Sequence, residues 1–265
     1  MSGNHPGLAI SCIVRANETL CDGHFHLLLE PVAKPVAVVP GQFVMIRVTN
    51  ALDPFLRRPM SVADFAPDGS RIGFVIKEAG RGTSLLSALP PWTKIDVVGP
   101  FGTGFAIPEG AKKVWMVAGG TGVAPFLGLT ENTKRGDHDY TMFLGAKTAG
   151  QLFYAARLKE NGVNVITATE DGSDGFKGFV TSALTAGLEN GARPDVIFTC
   201  GPAPMMRAVA GIAQDAGIAC HASLESYMAC GFGACLGCVV KKRGAEQYVT
   251  VCRTGPVFDT RDIEI

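Results

Sequence analysis

Four of the eight cysteines lie in one short stretch near the end of the chain, and this clustering constrains the fold more than any other feature. The spacing is Cys230-x4-Cys235-x2-Cys238, with Cys252 further along. The first three match the C-x4-C-x2-C pattern of plant-type [2Fe–2S] clusters, whose fourth thiolate comes from later in the chain. Thiolates are soft, charged donors, and four of them complete two tetrahedral irons. The stretch therefore predicts a [2Fe–2S] cluster with these four cysteines as its metal ligands.

A structural zinc site is the alternative, because four cysteines can also hold Zn²⁺. Zinc sites more often carry two C-x2-C pairs, and this stretch has one, Cys235 with Cys238. Glycines such as Gly231 and Gly233 let the loop turn its N–H groups toward the sulfides. The segment from about Leu224 has little room for a core of its own, so a metal staple is expected there.

The remainder of the chain divides into two zones that differ in residue pattern. From residue 8 to about 100, short runs rich in Val, Ile and Phe are separated by Pro, Gly, Asn and Asp residues, which favour turns. That spacing is typical of an antiparallel sandwich or small barrel. Strands are expected at 10–14, 24–29, 42–48, 72–76 and 94–98, with one helix at 83–89.

From Lys112 onward, apolar runs alternate with helical stretches, which indicates a parallel, doubly wound sheet flanked by helices. The expected strands are 113–118, 140–145, 163–169 and 195–199, and the expected helices are 124–134, 151–160, 180–188 and 204–216. The predicted fold class is a multidomain β plus α/β protein. Its parts are an antiparallel β-barrel over residues 1–102, a doubly wound domain over 103–222 and a small cluster domain over 223–265.

A glycine-rich loop follows the first strand of the second zone, at Gly119-Gly120-Thr121-Gly122. Glycines let the backbone approach a pyrophosphate, and the helix that follows offers unpaired N–H groups. Pro125 stands where the Rossmann pattern has its third glycine, and it suits a first helical turn. Taken alone, the loop equally indicates a tight strand-to-helix turn.

A second loop, Cys200-Gly201-Pro202, ends the strand expected at 195–199. Both loops lie at carboxyl ends of parallel strands, where doubly wound sheets bind ligands. Two such loops favour a dinucleotide site. Cys200 either lies beside the nicotinamide ring or is a small buried thiol.

The first zone contains a candidate flavin-binding segment, Arg58-Pro59-Met60-Ser61. On an extended strand, an arginine and a serine three residues apart can offer a guanidinium and a hydroxyl to a phosphate or to the flavin edge. A surface strand with an exposed arginine is the alternative. Gly82-Thr83 leads into the expected short helix, whose N-terminus is a second candidate for holding a pyrophosphate.

Composition narrows the range of partners. Hydrophobic residues make up 47% of the chain and charged residues 18%, which indicates a globular protein. Lys plus Arg and Asp plus Glu both total 24, so neither nucleic acid nor an anionic membrane is an expected partner. No run approaches the roughly 20 apolar residues that span a bilayer. Residues 1–6 do not resemble a signal peptide, so we expect a cytoplasmic protein with reduced cysteines.

The order of these motifs resembles the ferredoxin–NADP reductase superfamily. The stretch 223–238, together with Cys252 and residues 255–259, is similar to the electron-transfer subunits of dihydroorotate dehydrogenase B. That resemblance covers nearly the whole chain. It implies an FAD-binding barrel, an NAD domain and a [2Fe–2S] domain. It also implies an FMN-containing catalytic partner that oxidises dihydroorotate to orotate in pyrimidine biosynthesis, in a heterotetramer with two copies of each subunit.

The resemblance also implies roles for individual residues. Residues expected to hold FAD are Arg58, Pro59, Met60, Ser61, Val75, Ile76, Lys77, Gly82 and Thr83. Those expected to hold NAD are Gly119, Gly120, Thr121, Gly122, Cys200, Gly201 and Pro202. Electrons would pass from the partner's FMN through the cluster to FAD, and then as a hydride to NAD⁺. Such an NAD-linked oxidoreductase subunit needs no acid or base of its own, and none is assigned.

Two other functions fit the same motifs. Subunits of sulfide dehydrogenases and ferredoxin-dependent transhydrogenases share this layout, although some use a carboxylate as a cluster ligand. A zinc-stapled, nucleotide-binding regulatory module without redox turnover is an alternative from another class. A preference for NADH or NADPH is not predicted, because residues 145–148 contain neither an acid for the ribose nor an arginine for a 2′-phosphate.

Overall fold

The computed structural model describes residues 9–133 and 136–265. Two predictions reach beyond these residues, namely the lack of a signal peptide at 1–6 and the end of a helix at Lys134. Within the described ranges, no helix combines the length and the apolar character of a membrane-spanning segment.

The first zone forms a seven-stranded antiparallel sheet in the order β4-β3-β7-β1-β2-β6-β5. Its strands are β1 (Ala9–Cys21), β2 (His24–Pro31), β3 (Phe43–Ile46), β4 (Arg58–Ser61), β5 (Asp64–Phe65), β6 (Ile72–Lys77) and β7 (Lys94–Phe101). The sheet curls until β4 contacts β6, and side chains such as Leu27, Ile46 and Phe74 fill its interior. Helix α1 (Arg81–Ser87) lies between β6 and β7, two residues earlier than expected.

The second zone forms a sheet in the order β11-β10-β9-β8-β12-β13-β16. Its strands are β8 (Lys113–Gly119), β9 (Asp139–Ala146), β10 (Asn164–Thr169), β11 (Phe176–Lys177), β12 (Val196–Cys200), β13 (Ala219–Ser223) and β16 (Val257–Asp259). All pairings are parallel except β13 with β16. Every residue of β12 is buried, as expected for a parallel strand covered by helices on both faces.

Four helices accompany this sheet: α2 (Ala124–Glu131), α3 (Ala155–Glu160), α4 (Val180–Glu189) and α5 (Ala203–Asp215). The helix expected at 151–160 is interrupted. A 3₁₀ turn covers Ala149–Gln151, and α3 starts only after Tyr154, which adopts a left-handed φ of 62°. A continuous right-handed helix cannot pass through that conformation.

The cysteine-rich segment contains a two-stranded hairpin, β14 (Val239–Lys241) with β15 (Tyr248–Thr250). The strand β16 then joins the α/β sheet beside β13. Side chains of this segment share a core with Met45 and Phe101 of the barrel and Met206 of the α/β domain. The segment is thus anchored on both larger domains. The predicted β plus α/β fold class is confirmed.

Candidate functional site

A cavity of about 800 Å³ lies between the barrel and the carboxyl edge of the parallel sheet. Its walls include most of the glycine-loop residues predicted from the sequence: Gly119, Gly120, Thr121, Gly201 and Pro202. The barrel contributes Gly23, His24 and Lys77 to the opposite wall. The cavity therefore brings a predicted dinucleotide site next to a predicted flavin-binding strand.

The two glycine loops touch each other closely. A Cβ at Gly122 would lie 2.2 Å from the carbonyl oxygen of Cys200, and one at Gly119 would lie 2.8 Å from the sulfur of Met205. Gly120 instead has a φ of +56° and no atom within 4 Å of a built Cβ. Glycine is thus required at 122 for packing, and at 120 it leaves open space at the cavity wall.

Gly122 and Cys200 are buried beneath the loops and are not part of the cavity wall. Burial raises the pKa of the Cys200 thiol, and the nearby Glu225 carboxylate adds to that effect. Cys200 is therefore a protonated thiol at neutral pH. Its contact with Gly122 locks the two loops together.

The predicted flavin segment and the start of α1 also come together. Arg58, on β4, lies over Gly82, where a Cβ would sit only 2.7 Å from the arginine Nε atom. The Arg58 Nη1 atom donates to the carbonyl oxygen of Leu56 at 2.5 Å. This places a guanidinium beside a helix N-terminus, an arrangement that suits an anionic phosphate group.

The other predicted flavin residues flank this point. Pro59, Met60 and Ser61 continue β4 as half-buried residues. Val75 and Ile76 are buried in β6, and the exposed Lys77 reaches the cavity.

Thr83 has a structural task at the start of α1. Its Oγ1 accepts hydrogen bonds from the backbone N–H groups of Ala79 (2.8 Å) and Gly80 (3.2 Å). It thus fixes the turn that leads into the helix.

The four clustered cysteines form two pairs in the structure. Cys230 contacts Cys235, whose backbone N–H points at the Cys230 sulfur at 3.4 Å, and Cys238 contacts Cys252. Among the described residues, no three His, Cys, Asp or Glu side chains form a group that could hold a single metal ion. Two irons that each take two thiolates need such pairs, so the donor set fits a two-iron cluster.

Backbone N–H groups surround the first pair. Desolvation raises the pKa of the Cys230 thiol, but hydrogen bonds from the N–H groups of Cys235, Phe232 and Ala234 outweigh it and lower that pKa below its usual range. The pKa of Cys252 is raised by burial and by the neighbouring Cys238. The loop thus stabilises negative charge on a sulfur, as an iron–sulfur cluster requires.

Several residues that line the cavity belong to no sequence motif, so motif analysis does not identify them. Lys147 follows β9, Glu170 follows β10 and Phe179 precedes α4, and all three line the cavity. Glu225 reaches it from the cysteine-rich segment. The only available signal was position, because residues that follow parallel strands gather at one edge of the sheet.

Comparisons with known proteins agree with this geometry. The family model described as the iron–sulfur cluster binding domain of dihydroorotate dehydrogenase B matches residues 225–264. The oxidoreductase NAD-binding domain model matches residues 116–211. Both matches fall where the structure places the paired cysteines and the glycine loops.

Two relatives are named as the electron-transfer subunit of dihydroorotate dehydrogenase B (NAD(+)). The one from Geobacillus sp. (strain WCH70) is 37% identical over 227 residues, covering 84% of this chain and 86% of the relative. The one from Shouchella clausii is 36% identical over 259 residues, covering 95% of this chain and 96% of the relative.

Solved structures show the same architecture. A structure of an NADH-dependent reduced ferredoxin–NADP oxidoreductase, from work on flavin-based electron bifurcation, has a TM-score of 0.85 and 29% identity, covering all of this chain and 91% of that one. A ferredoxin–NADP⁺ reductase from Neisseria gonorrhoeae has a TM-score of 0.66 and 18% identity, over 79% of this chain and 92% of that one, and shows the fold alone.

Proposed function

Because the chain belongs to the family of dihydroorotate dehydrogenase B electron-transfer subunits, we propose that it carries electrons from the FMN of a catalytic subunit to NAD⁺. The route is a [2Fe–2S] cluster and FAD, and the setting is pyrimidine biosynthesis in the cytoplasm. The cysteine segment carries this proposal, since it matches the cluster-binding family model and its four thiols pair.

FAD, when bound, converts between a hydride and single electrons, which is needed because a nicotinamide exchanges hydrides and an iron–sulfur cluster passes one electron at a time. The protein's own task is to hold these groups in order and to exclude water. No side chain has to act as an acid or a base.

The FAD site is assigned to the β4–α1 junction. Arg58 and the α1 N-terminus at Gly82 would hold the pyrophosphate, because a guanidinium and backbone N–H groups both favour negative charge. Pro59, Met60 and Ser61 would line the flavin, together with the β6 residues Val75, Ile76 and Lys77. Thr83 fixes the turn that presents these N–H groups.

NAD is assigned to the cavity. The open space at Gly120 gives a pyrophosphate close access to the backbone, and Gly119, Thr121, Gly201 and Pro202 complete that wall. Gly122 and Cys200 support the loops from beneath. The four cysteines Cys230, Cys235, Cys238 and Cys252 are assigned to the cluster.

The domain limits that we propose are 1–102 for FAD, 103–222 for NAD and 223–265 for the cluster. The contact of β16 with β13 argues that the third unit is not an independent body but an extension docked on the second. We expect it to fold only together with the two larger domains.

The face around the cluster loop is proposed to dock on the catalytic subunit, in an assembly with two copies of each chain. Tyr227 is 97% exposed and Leu236 is 64% exposed, and both flank the cysteines. Exposed aromatic and large apolar side chains beside an electron-transfer centre suit an interface whose partner must bring its own cofactor close.

The test is an anaerobic assay with the separately purified catalytic subunit, dihydroorotate and NAD⁺, in which NADH formation is followed. We expect NADH only when both subunits are present. Cys235→Ser should abolish it while NADH-to-dye reduction through FAD persists, and Cys220→Ser, which changes a buried cysteine outside the cluster, should retain it.

Dihydroorotate-dependent NADH formation by the Cys235→Ser variant at the parent rate would contradict the assigned route. Loss of the dye activity with FAD still bound would show that the assigned order of cofactors is wrong.

A second candidate is a subunit of a bifurcating transhydrogenase, which is favoured by the whole-chain likeness to the NADH-dependent ferredoxin–NADP oxidoreductase. The same assay discriminates the two functions. Reduction of two NADP⁺ by one NADH together with two reduced ferredoxins, and no NADH formation with dihydroorotate, would favour this candidate.

A further inference from the structure

A buried carboxylate lies at the junction between the barrel and the α/β domain. Asp64, on β5, has a side chain that is 4% exposed. Its Oδ2 atom lies 3.2 Å from His26 Nε2, on β2, and 3.2 Å from Arg157 Nη1, on α3. Asp64 therefore joins two barrel strands to a helix of the other domain, across 93 residues of sequence.

The α/β domain holds its side of this contact firmly. Arg157 forms a two-pronged ion pair with Glu131 of α2, with Nε–Oε1 at 2.5 Å and Nη2–Oε2 at 2.7 Å. Asn161 donates to the same carboxylate at 3.2 Å. The Tyr154 ring lies 5.7 Å from the guanidinium. Arg157 is thus fixed to both α2 and α3 before it reaches Asp64.

The neighbours of Asp64 contact the helix that follows the dinucleotide loop. The backbone N–H of Gly128, on α2, donates to the carbonyl oxygen of Ala63 at 2.8 Å. A Cβ at Gly128 would lie 2.7 Å from the Phe65 ring. Since α2 begins directly after Gly119–Val123, this docking fixes the loop relative to the barrel wall of the cavity.

Electrostatics keep the junction charged. Burial raises the pKa of Asp64, but the hydrogen bond and charge of His26 and the charge of Arg157 outweigh it and lower that pKa. A charged, buried and multiply hydrogen-bonded carboxylate tolerates little displacement, because any shift leaves it unpaired in a region of low dielectric.

We propose that Asp64 and Arg157 form an interdomain clamp that sets the position of the nicotinamide against the flavin, with Asp64 as a positioning residue for hydride transfer. This inference rests on the proposed FAD and NAD sites. It assigns no chemistry to Asp64 itself. The clamp governs the rate of hydride transfer more than the affinity for the dinucleotide.

The test is a rapid-mixing experiment in which NADH is added anaerobically to the FAD-loaded chain. One hydride passes from NADH to FAD, so NADH is oxidised to NAD⁺ and FAD is reduced by two electrons. The proton that completes FADH₂ is taken from solvent. The dependence of the flavin bleaching rate on NADH concentration separates the limiting transfer rate from the Kd of NADH.

For Asp64→Asn and for Arg157→Lys we expect the limiting rate to fall about 10- to 100-fold, because a misplacement of about 1 Å has this effect on a well-aligned reaction. The Kd of NADH should change less than about threefold, and the nicotinamide–flavin charge-transfer absorbance should weaken. Arg157→Lys keeps the positive charge but loses the planar guanidinium that forms the two-pronged ion pair with Glu131.

Arg15→Lys is the matched control, since Arg15 forms a two-pronged ion pair with Glu30, at 2.7 Å for both contacts, within the barrel alone. Its limiting rate should equal that of the parent.

A lowered melting temperature with an unchanged limiting rate would overturn the proposal and leave the clamp as a purely structural contact. If Asp64→Asn does not fold, Arg157→Lys decides, since this side chain is 34% exposed and its substitution is milder. A parent chain that binds FAD but shows no NADH-dependent bleaching would instead refute the proposed function.

Discussion

The contact between the two glycine loops predicts opposite behaviour for two neighbouring alanine variants. In Gly122→Ala, the new methyl group would lie 2.2 Å from the Cys200 carbonyl oxygen and 2.8 Å from the Gly201 Cα. Atoms of this kind separate to roughly 3.5 Å, so the loops must move apart by more than about 1 Å. Both neighbours are backbone atoms, so no side-chain rotation can relieve the overlap.

Overpacking of this kind costs about 1–3 kcal/mol, and a backbone clash belongs at the upper end. For domains of this size each kcal/mol lowers the melting temperature by about 2–4 °C, so Gly122→Ala should melt roughly 6–12 °C below the parent. Gly120→Ala meets no atom within 4 Å and carries only the cost of its left-handed φ of +56°. That cost is about 1 kcal/mol, or roughly 2–4 °C.

NAD⁺ binding should be weakened more by Gly120→Ala than by Gly122→Ala. The methyl group of Gly120→Ala stands at the cavity wall where a pyrophosphate is assigned, so we expect the Kd of NAD⁺ to rise about tenfold or more at nearly parental stability. Thermal denaturation of the FAD-loaded protein and calorimetric titration with NAD⁺ measure the two effects. Parental stability in Gly122→Ala would show that the two loops are not in tight contact. Parental NAD⁺ affinity in Gly120→Ala would show that the pyrophosphate does not lie at this wall.

Arg58→Gln should weaken FAD binding about 10- to 100-fold, as expected for a lost charge-assisted hydrogen bond, and retention of a full complement of FAD after gel filtration would contradict this. Tyr227→Ser should weaken association with the catalytic subunit, as measured by light scattering. Phe176→Ser should not weaken it, because this 45%-exposed aromatic lies on β11, at the edge of the α/β sheet opposite to β16. Equal effects of the two substitutions would argue against the docking face. Asp195 accepts two backbone N–H bonds at 2.7 and 2.8 Å, which lower the pKa of its carboxyl, so its stabilisation is present at neutral pH and is lost as the pH falls through that lowered pKa. Asp195→Asn should therefore lower the melting temperature at neutral pH with a gap that closes in acid, and a gap that does not vary with pH would contradict the assignment.

Much of this architecture could be predicted because its signals are local. The cysteine spacing identifies the cluster segment, and the structure brings the same four thiols into two pairs. The glycine loops follow apolar strands, and parallel pairing then places them at a common edge. In each case a few adjacent residues carry enough chemistry to imply what surrounds them.

The features that sequence reasoning missed depend on contacts between distant segments. The strand β16 has three residues, too few for a periodic pattern, and it exists because β13 offers it an open edge. The Asp64–Arg157 contact joins residues that no motif connects. The interrupted helix before α3 reflects a single left-handed residue, Tyr154, whose ring lies beside His26 of the barrel and Arg157 of α3. Propensity does not encode such tertiary effects.

The location of Glu225 and Lys147 at the cavity has the same origin. Each is one charged residue in a loop, and only the assembled sheet shows that both reach one space. Only the fold places these two side chains at the cavity to which the dinucleotide is assigned.

The most direct measurement is an anaerobic titration of the purified chain with NADH, with visible absorption to follow the flavin and electron paramagnetic resonance to follow the cluster. Iron, sulfide and flavin are assayed on the same sample. We expect two irons and one FAD per chain, and reduction of both centres by NADH. A colourless protein that holds one zinc and does not react with NADH would contradict this expectation and favour a nucleotide-binding module without redox activity.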